Sequence, residues 1–304
     1  MLNVYLESTR HFKTILDFYR FGVSRANEAD LYFGHGTDNA EDDIWSLILG
    51  SLSLPFTTDT HFYLAGLTQD EKQWLASQLA KRILHRTPVP YLVHQAQFCE
   101  LSFYVDERVL IPRSPMAELI RQQFSPWVNT DNVTTILDVC TGSGCIAIAC
   151  CMAFPQAIVD AVDISQEALD VAVINREKHH VEEQLTLIQS DCFDNVPKAS
   201  YDIIISNPPY VGHDEMQLLP KEYLHEPVLA LEATGNGLAI IEKILYSAGQ
   251  YLDDDGILVV EVGNSEDALV STYPMVPFVW LEFEQGGQGV FLLTANDLKT
   301  YFQQ

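Results

Sequence analysis

Basic residues are scarce in this chain. Only 17 Lys and Arg stand against 42 Asp and Glu over 304 residues, a formal net charge of -25. A field of that sign repels phosphate backbones and attracts cations, so no direct binding of bare nucleic acid is expected. Long apolar runs are missing as well. No stretch approaches the roughly 18 residues of a membrane span, and Glu7 and Arg10 interrupt any signal-peptide core, so the expectation is a cytoplasmic protein with no membrane contact. The six cysteines, Cys99, Cys140, Cys145, Cys150, Cys151 and Cys192, include no C-x-x-C pair and none of the paired spacings of zinc sites. They read as buried thiols, and no metal is expected. Glycine (16) and proline (14) are too few for a fibrous or disordered chain, while a hydrophobic share of 47% is that of an ordinary globular protein. No internal repeat or low-complexity stretch occurs. The acidity is uneven: residues 1–90 hold 11 acids and 8 bases, and the rest hold 31 and 9.

Helical periodicity marks the first ninety residues. Phe12, Ile15, Leu16 and Tyr19 recur at spacings of three and four, as do Ile44, Leu47 and Ile48. A third helix opens at Thr68, where Glu71 completes a capping box and Trp74, Leu75, Leu79 and Ile83 form an apolar stripe. Pro88 and Pro90 end this region. The alternation from Phe98 to Val105 then has the two-residue period of strands, read as a short hairpin between domains. From Thr135 the pattern changes to short β-branched runs, Thr135 to Val139, Ile158 to Val162, Leu185 to Gln189, Tyr201 to Ser206 and Ile257 to Val262, several followed by helix-length segments. That alternation predicts a mostly parallel sheet with helices on both faces. Val279 to Phe283 and Val290 to Leu293, separated by a turn containing Gly286, Gly287 and Gly289, add an antiparallel hairpin at the sheet edge. The division expected is a helical domain over 1–88, a hairpin linker over 89–112 and an α/β domain over 113–304.

The chemistry-bearing residues fall at strand ends. Asp138-Val139-Cys140-Thr141-Gly142-Ser143-Gly144 closes the first strand of the larger domain and opens a helix, with glycines that let a ligand approach the backbone at the crevice where open α/β sheets bind. Alone, this fits a dinucleotide fold, a methyltransferase or a tight turn. The next strand ends at Asp163, placed to accept from ribose hydroxyls, and the third at Asp191-Cys192, where a carboxylate can accept from an adenine amine. Ala147 stands where a third glycine would complete G-x-G-x-x-G, and alanine is an allowed variant there. No Walker-type lysine follows and no arginine is near to neutralise a pyrophosphate, so an uncharged or cationic nucleoside fits better than NAD or ATP. The fourth strand ends in Asn207-Pro208-Pro209-Tyr210. The prolines donate no hydrogen bonds, which leaves the Asn207 side-chain oxygen and the Pro208 carbonyl as two acceptors suited to a planar NH2 group, with the Tyr210 ring able to pack on that group. His213 and His225 read as ordinary loop histidines.

Together, Asp138 to Gly144, Asp163, Asp191 and Asn207 to Tyr210 resemble a class I S-adenosylmethionine-dependent methyltransferase acting on an amide or amino nitrogen. That resemblance implies a Rossmann-like, mostly parallel seven-stranded sheet. Adenine-N6 and cytosine-N4 nucleic-acid methyltransferases share the signature. Leu110-Ile111-Pro112-Arg113-Ser114-Pro115, His225-Glu226-Pro227, Ala230-Leu231 and the small helical domain are similar to the protein glutamine N(5)-methyltransferases, over nearly the whole chain. One branch of that family acts on release factors and one on ribosomal protein L-three of the large subunit. Ser114-Pro115-Met116-Ala117-Glu118 departs from the release-factor pattern, whereas Cys140 to Cys145 and Trp280 to Phe291 resemble the ribosomal-protein branch.

The resemblance implies S-adenosyl-L-methionine as cofactor, S-adenosyl-L-homocysteine as product, and a basic ribosomal protein, free or in an assembly intermediate, as partner. By the same resemblance, Asn207, Pro208 and Tyr210 are catalytic. Asp138, Cys140, Thr141, Gly142, Ser143, Gly144, Asp163, Asp191, Cys192 and Asn207 bind cofactor, and Asn207 to Tyr210 with Arg113 and Glu226 bind substrate. The helical domain is expected to recognise substrate. A chaperone that keeps the fold without the reaction is the noncatalytic alternative, disfavoured by intact Asn207, Asp163 and Gly142.

Overall fold

The computed structural model describes residues 2–197, 200–284 and 286–303. The chain forms two compact units. The smaller comprises Met1–Ala96 with Val105–Glu107 and Pro220–His225, and the larger Gln97–Tyr104, Arg108–Leu219 and Glu226–Gln304. The smaller unit thus reaches past residue 88 and takes in a segment from far along the chain.

The smaller unit contains α1 (Leu2–Ser8), α2 (Ile15–Glu28), α3 (Ala40–Ser51), α4 (Gln69–Leu84) and α5 (Val89–Val93). Thr68 caps α4 as expected: its hydroxyl accepts from the Glu71 N–H, and the Glu71 carboxylate accepts from the Thr68 N–H at 2.7 Å. The apolar stripes are rotated from those read in the sequence. In α2 the buried residues are Ile15, Phe18, Phe21, Gly22 and Ala26, and Leu16 is exposed. In α4 the stripe runs through Leu75, Ala76, Leu79, Ala80 and Ile83, leaving Trp74 at the surface beneath the Lys81 ammonium. Small alanines on the buried side let helices approach closely, which a reading weighted to large apolar residues does not register. Within this core Arg82, 2% exposed, is held by the Asp43 carboxylate at 2.7 Å, with Glu222 at 3.6 Å. Glu222 also accepts from the Tyr32 N–H and pairs with Arg86. Buried charges persist only when matched in this way.

The expected hairpin is present as β1 (Ala96–Phe98) and β2 (Leu101–Phe103), turning at Cys99 and Glu100, both at positive φ. The larger unit continues with α6 (Met116–Arg121), β3 (Thr135–Val139), α7 (Cys145–Ala153), β4 (Ile158–Asp163), α8 (Gln166–Lys178), β5 (Leu185–Gln189), β6 (Tyr201–Ser206), α9 (His213–Met216), α10 (Ala239–Ala248), β7 (Leu252–Glu261), α11 (Glu266–Thr272), β8 (Val279–Trp280), β9 (Val290–Thr294) and α12 (Ala295–Phe302). Seven strands form one sheet in the order β5-β4-β3-β6-β7-β9-β8, parallel from β5 to β7, with β9 antiparallel to both β7 and β8. Strand alternation divides the core. Ile136, Ile203, Ile205 and Val259 join α6 and α7 on one face, and Leu137, Ile204, Leu258 and Val260 join α10, α11 and α12 on the other.

Two strands of the sheet differ from expectation by more than one residue. β7 starts five residues early, at Leu252 against Tyr201: Tyr201 pairs with Leu252 and Ile203 with Ile257, so the exposed run Asp253, Asp254, Asp255 bulges between two paired positions without ladder partners on β6. β8 ends at Trp280 rather than Phe283: after one more bond from Leu281 N–H to the Val290 carbonyl, the chain turns away and the Glu284 N–H goes to the Glu118 carboxylate at 3.0 Å. The cysteines are all free thiols, with Cys145, Cys150, Cys151 and Cys192 buried and Cys99 and Cys140 half-buried. Among the described residues, no helix is long and apolar enough to cross a membrane.

Candidate active site

All parallel strands of the larger unit end on the same edge, so the residues singled out in the sequence converge there. Asp138, wholly buried, lies within β3 and holds the turn that follows. One oxygen accepts from the Thr141 hydroxyl at 2.5 Å and from the Ala147 N–H in the first turn of α7 at 3.2 Å. Its other oxygen has no hydrogen-bond partner, an unmet buried acceptor beside the glycine turn. Burial raises the Asp138 carboxyl to about 7, against hydrogen bonds from Thr141 and Ala147 that pull the other way. Gly142 sits at φ +56, and a methyl group added there would project into open space, so the backbone is bare where a ligand would lie.

Asp163 ends β4. Its two oxygens accept from the Gly142 and Ser165 N–H groups, each at 2.9 Å, which fixes the carboxylate against the glycine turn and leaves lone pairs on both oxygens. Desolvation raises its pKa despite these bonds. Asp191 is half-exposed and pairs with Lys243 of α10 at 2.9 Å. Cys140 and Cys192 both take positive φ, and their thiols adjoin: a hydrogen bond with Cys192 and burial push the Cys140 thiol well above its ordinary value. Ser143, buried, offers its carbonyl to Asn175 at 2.9 Å.

Asn207 follows β6 directly. It is half-buried, and no described residue hydrogen-bonds its side chain. Tyr210 is held at several points. Its hydroxyl donates to Glu261 at 3.0 Å, its carbonyl accepts from the Ser265 hydroxyl at 2.8 Å, and its ring lies on Gly263, where a Cβ would come within 2.5 Å of the ring edge. Arg113 and Glu226 face each other in a two-pronged pair, both contacts 2.6 Å, and Glu226 also accepts from the Ile111 N–H. The Glu226 side chain is fully buried in this pair. Neither histidine adjoins a nucleophile here: His213 pairs with Glu232, and His225 bonds the His85 carbonyl.

Sequence reasoning missed Asn175, Lys243 and Glu261. Only Glu261 left a signal, as a lone acid ending the apolar run from Ile257. The donor set fits an adenosyl sulfonium cofactor: a bare glycine turn, an unpartnered oxygen on the buried Asp138 and acids at three successive strand ends. Among the described residues no cluster of His, Cys, Asp and Glu could hold a metal ion.

The model of the methyltransferase small domain family matches residues 124–247. The ribosomal protein uL3 glutamine methyltransferase of Francisella tularensis subsp. tularensis is 43% identical over 299 residues, 96% of this chain and 95% of the relative. The enzyme of the same name from Neisseria meningitidis serogroup B is 46% identical over 293 residues, 96% of each. Among solved structures, a methyltransferase from Pyrococcus furiosus is 16% identical with a TM-score of 0.47, covering 64% of this chain and 88% of that one. The chain-long identity to two curated relatives, on a doubly wound sheet with its last strands antiparallel, means that the chain belongs to the family of ribosomal protein uL3 glutamine methyltransferases, enzymes of class I methyltransferase architecture.

Proposed function

We propose that the protein methylates the side-chain amide nitrogen of a glutamine in ribosomal protein uL3, using S-adenosyl-L-methionine, in the cytoplasm. The observation that carries this reading is the 46% identity over 96% of both chains to an enzyme of that name. Asp138, Cys140, Thr141, Gly142, Ser143, Gly144, Asp163, Asp191 and Cys192 would hold the cofactor. When bound, the cofactor supplies a methyl group already activated on a sulfonium and departs as S-adenosyl-L-homocysteine.

The protein's task is alignment. A glutamine amide nitrogen is a weak nucleophile because its lone pair is delocalised into the carbonyl, and holding reactants in near-attack geometry lowers the barrier by about 7–11 kcal/mol. The uncommitted Asn207 side chain and the Pro208 carbonyl accept from the two amide N–H groups, fixing the nitrogen and stabilising the positive charge that develops on it. Pro209 keeps this turn rigid, and Tyr210 packs its ring on the amide plane. No side-chain base is required, since the proton passes to water once the nitrogen is cationic. Arg113 and Glu226 are engaged with each other, which supports a role in shaping the substrate loop rather than in direct contact. The excess of acids over the residues following 90 suits a basic ribosomal protein, whose approach it would accelerate, and the helical unit is proposed to grip that substrate.

The test is methyl transfer from labelled S-adenosyl-L-methionine to purified uL3, release factors and DNA, with mass spectrometry locating the label. Label on a uL3 glutamine is expected. Label confined to a release factor would keep the chemistry and overturn the substrate, and label on DNA would overturn both.

A further inference from the structure

We infer that Glu261 is a positioning residue for methyl transfer: its buried carboxylate ties the Tyr210 hydroxyl and the Ser114 hydroxyl together, and so sets the placement of the Asn207 to Tyr210 turn. Glu261 is the last residue of β7, and Ser206, which precedes Asn207, pairs with Val260 on the adjacent strand. The carboxylate therefore stands one register step from the turn. It is 5% exposed, and each oxygen accepts one hydroxyl, from Tyr210 at 3.0 Å and from Ser114 at 2.5 Å. Ser114 in turn accepts from the Met116 N–H at 3.2 Å, fixing the start of α6.

A buried acid in an apolar strand end is costly unless matched, and here the match is made by the segment after Arg113 and by the residue that closes the substrate turn. Burial raises the carboxyl, while the two hydroxyls and the charge of Arg113 lower it. The backbone cooperates. Gly263, two residues on, leaves no Cβ to displace the Tyr210 ring, and Ser265 holds the Tyr210 carbonyl. The ring is thus fixed at its hydroxyl, face and main chain. Losing the hydroxyl anchor frees the ring to swing, and an angstrom of misplacement at a reacting centre is enough to cost about 100-fold.

This inference rests on the methyl-transfer reading, and the wild type run in the same assay separates the two: absent transfer by the wild type sinks that reading, not the role of Glu261 alone. Glu261→Leu, Glu261→Gln, Tyr210→Phe and the Tyr210→Phe/Glu261→Leu pair are assayed for kcat, for KM of the protein substrate, for cofactor Kd and for Tm. Expected is a fall in kcat of about 10- to 100-fold for Glu261→Leu and for Tyr210→Phe, with cofactor Kd within about threefold. The double variant should be no worse than the poorer single, because both break one link. Glu261→Gln keeps an acceptor for the Tyr210 hydroxyl and should recover most of the rate. Additive losses, a near-normal kcat in Glu261→Leu, or a Gln variant as slow as Leu would overturn the assignment. Should Glu261→Leu fail to fold, Tyr210→Phe decides alone, and its wild-type kcat would overturn it.

Discussion

Replacing Asn175 with alanine tests whether the cofactor turn is braced from behind. Asn175 is wholly buried in α8, and its side chain makes three hydrogen bonds: it accepts from the Tyr104 N–H at 2.7 Å and donates to the carbonyls of Tyr104 at 3.0 Å and Ser143 at 2.9 Å. Each bond contributes about 1 kcal/mol net, and stranding the buried Ser143 carbonyl adds about 1–2 kcal/mol, so Asn175→Ala should cost roughly 4 kcal/mol. For a unit of this size that lowers Tm by about 10 °C, read by calorimetry. Because Ser143 lies between Gly142 and Gly144, release of its carbonyl loosens the turn, and S-adenosyl-L-methionine should bind about tenfold more weakly by titration calorimetry, equivalent to about 1.4 kcal/mol. Asn175→Asp keeps the acceptor for Tyr104 but sets an oxygen against two carbonyls, and should be no better than alanine. A Tm within 2 °C of wild type, or an unchanged cofactor Kd, would refute the brace.

Asp138, raised to about 7 in the folded protein, makes stability depend on pH. The native state holds this proton where the unfolded chain has lost it, so stability falls as pH rises between about 4 and 7, by on the order of 4 kcal/mol. Asp138→Asn should remove that slope from urea melts taken across this range, and parallel curves would count against it. Asp43→Ala removes the 2.7 Å partner of Arg82 inside the helical unit and should destabilise that unit by about 3–5 kcal/mol. Replacing Asp43, Arg82 and Glu222 together by apolar residues should recover most of this loss, and a triple variant less stable than the single would contradict the reasoning.

The legible parts of the sequence were those where local chemistry and burial agree. Strands β3, β5 and β6 begin and end where their β-branched runs do: β3 and β6 lie inside the sheet and are buried at nearly every position, while β5, at the edge, is bounded by its run alone. The Thr68 capping box and the glycine turn are local and were equally plain. What depended on distant partners was not. Asp253 to Asp255 lie ahead of the apolar run from Ile257, yet they fall inside β7 because Leu252 before them pairs with Tyr201 of β6. Pro220–His225 joins the helical unit because Glu222 meets Arg82 and Arg86, residues more than a hundred positions away.

The candidate site divides in the same manner. Residue types at strand ends raise the expectation of a nucleoside site there, but do not reveal that Asp163 already holds two backbone N–H groups, that Asp191 pairs with Lys243, or that Arg113 and Glu226 engage each other. Asn175 and Glu261 act on the site through other residues, and only Glu261, a lone acid in an apolar run, leaves a mark in the sequence.

The central claim is that Asn207 aligns the substrate amide. Asn207→Ala and wild type should be compared for single-turnover methylation of purified uL3, with cofactor Kd measured in parallel. The account predicts loss of transfer with cofactor affinity within a few-fold of wild type; near-normal transfer by Asn207→Ala would contradict it.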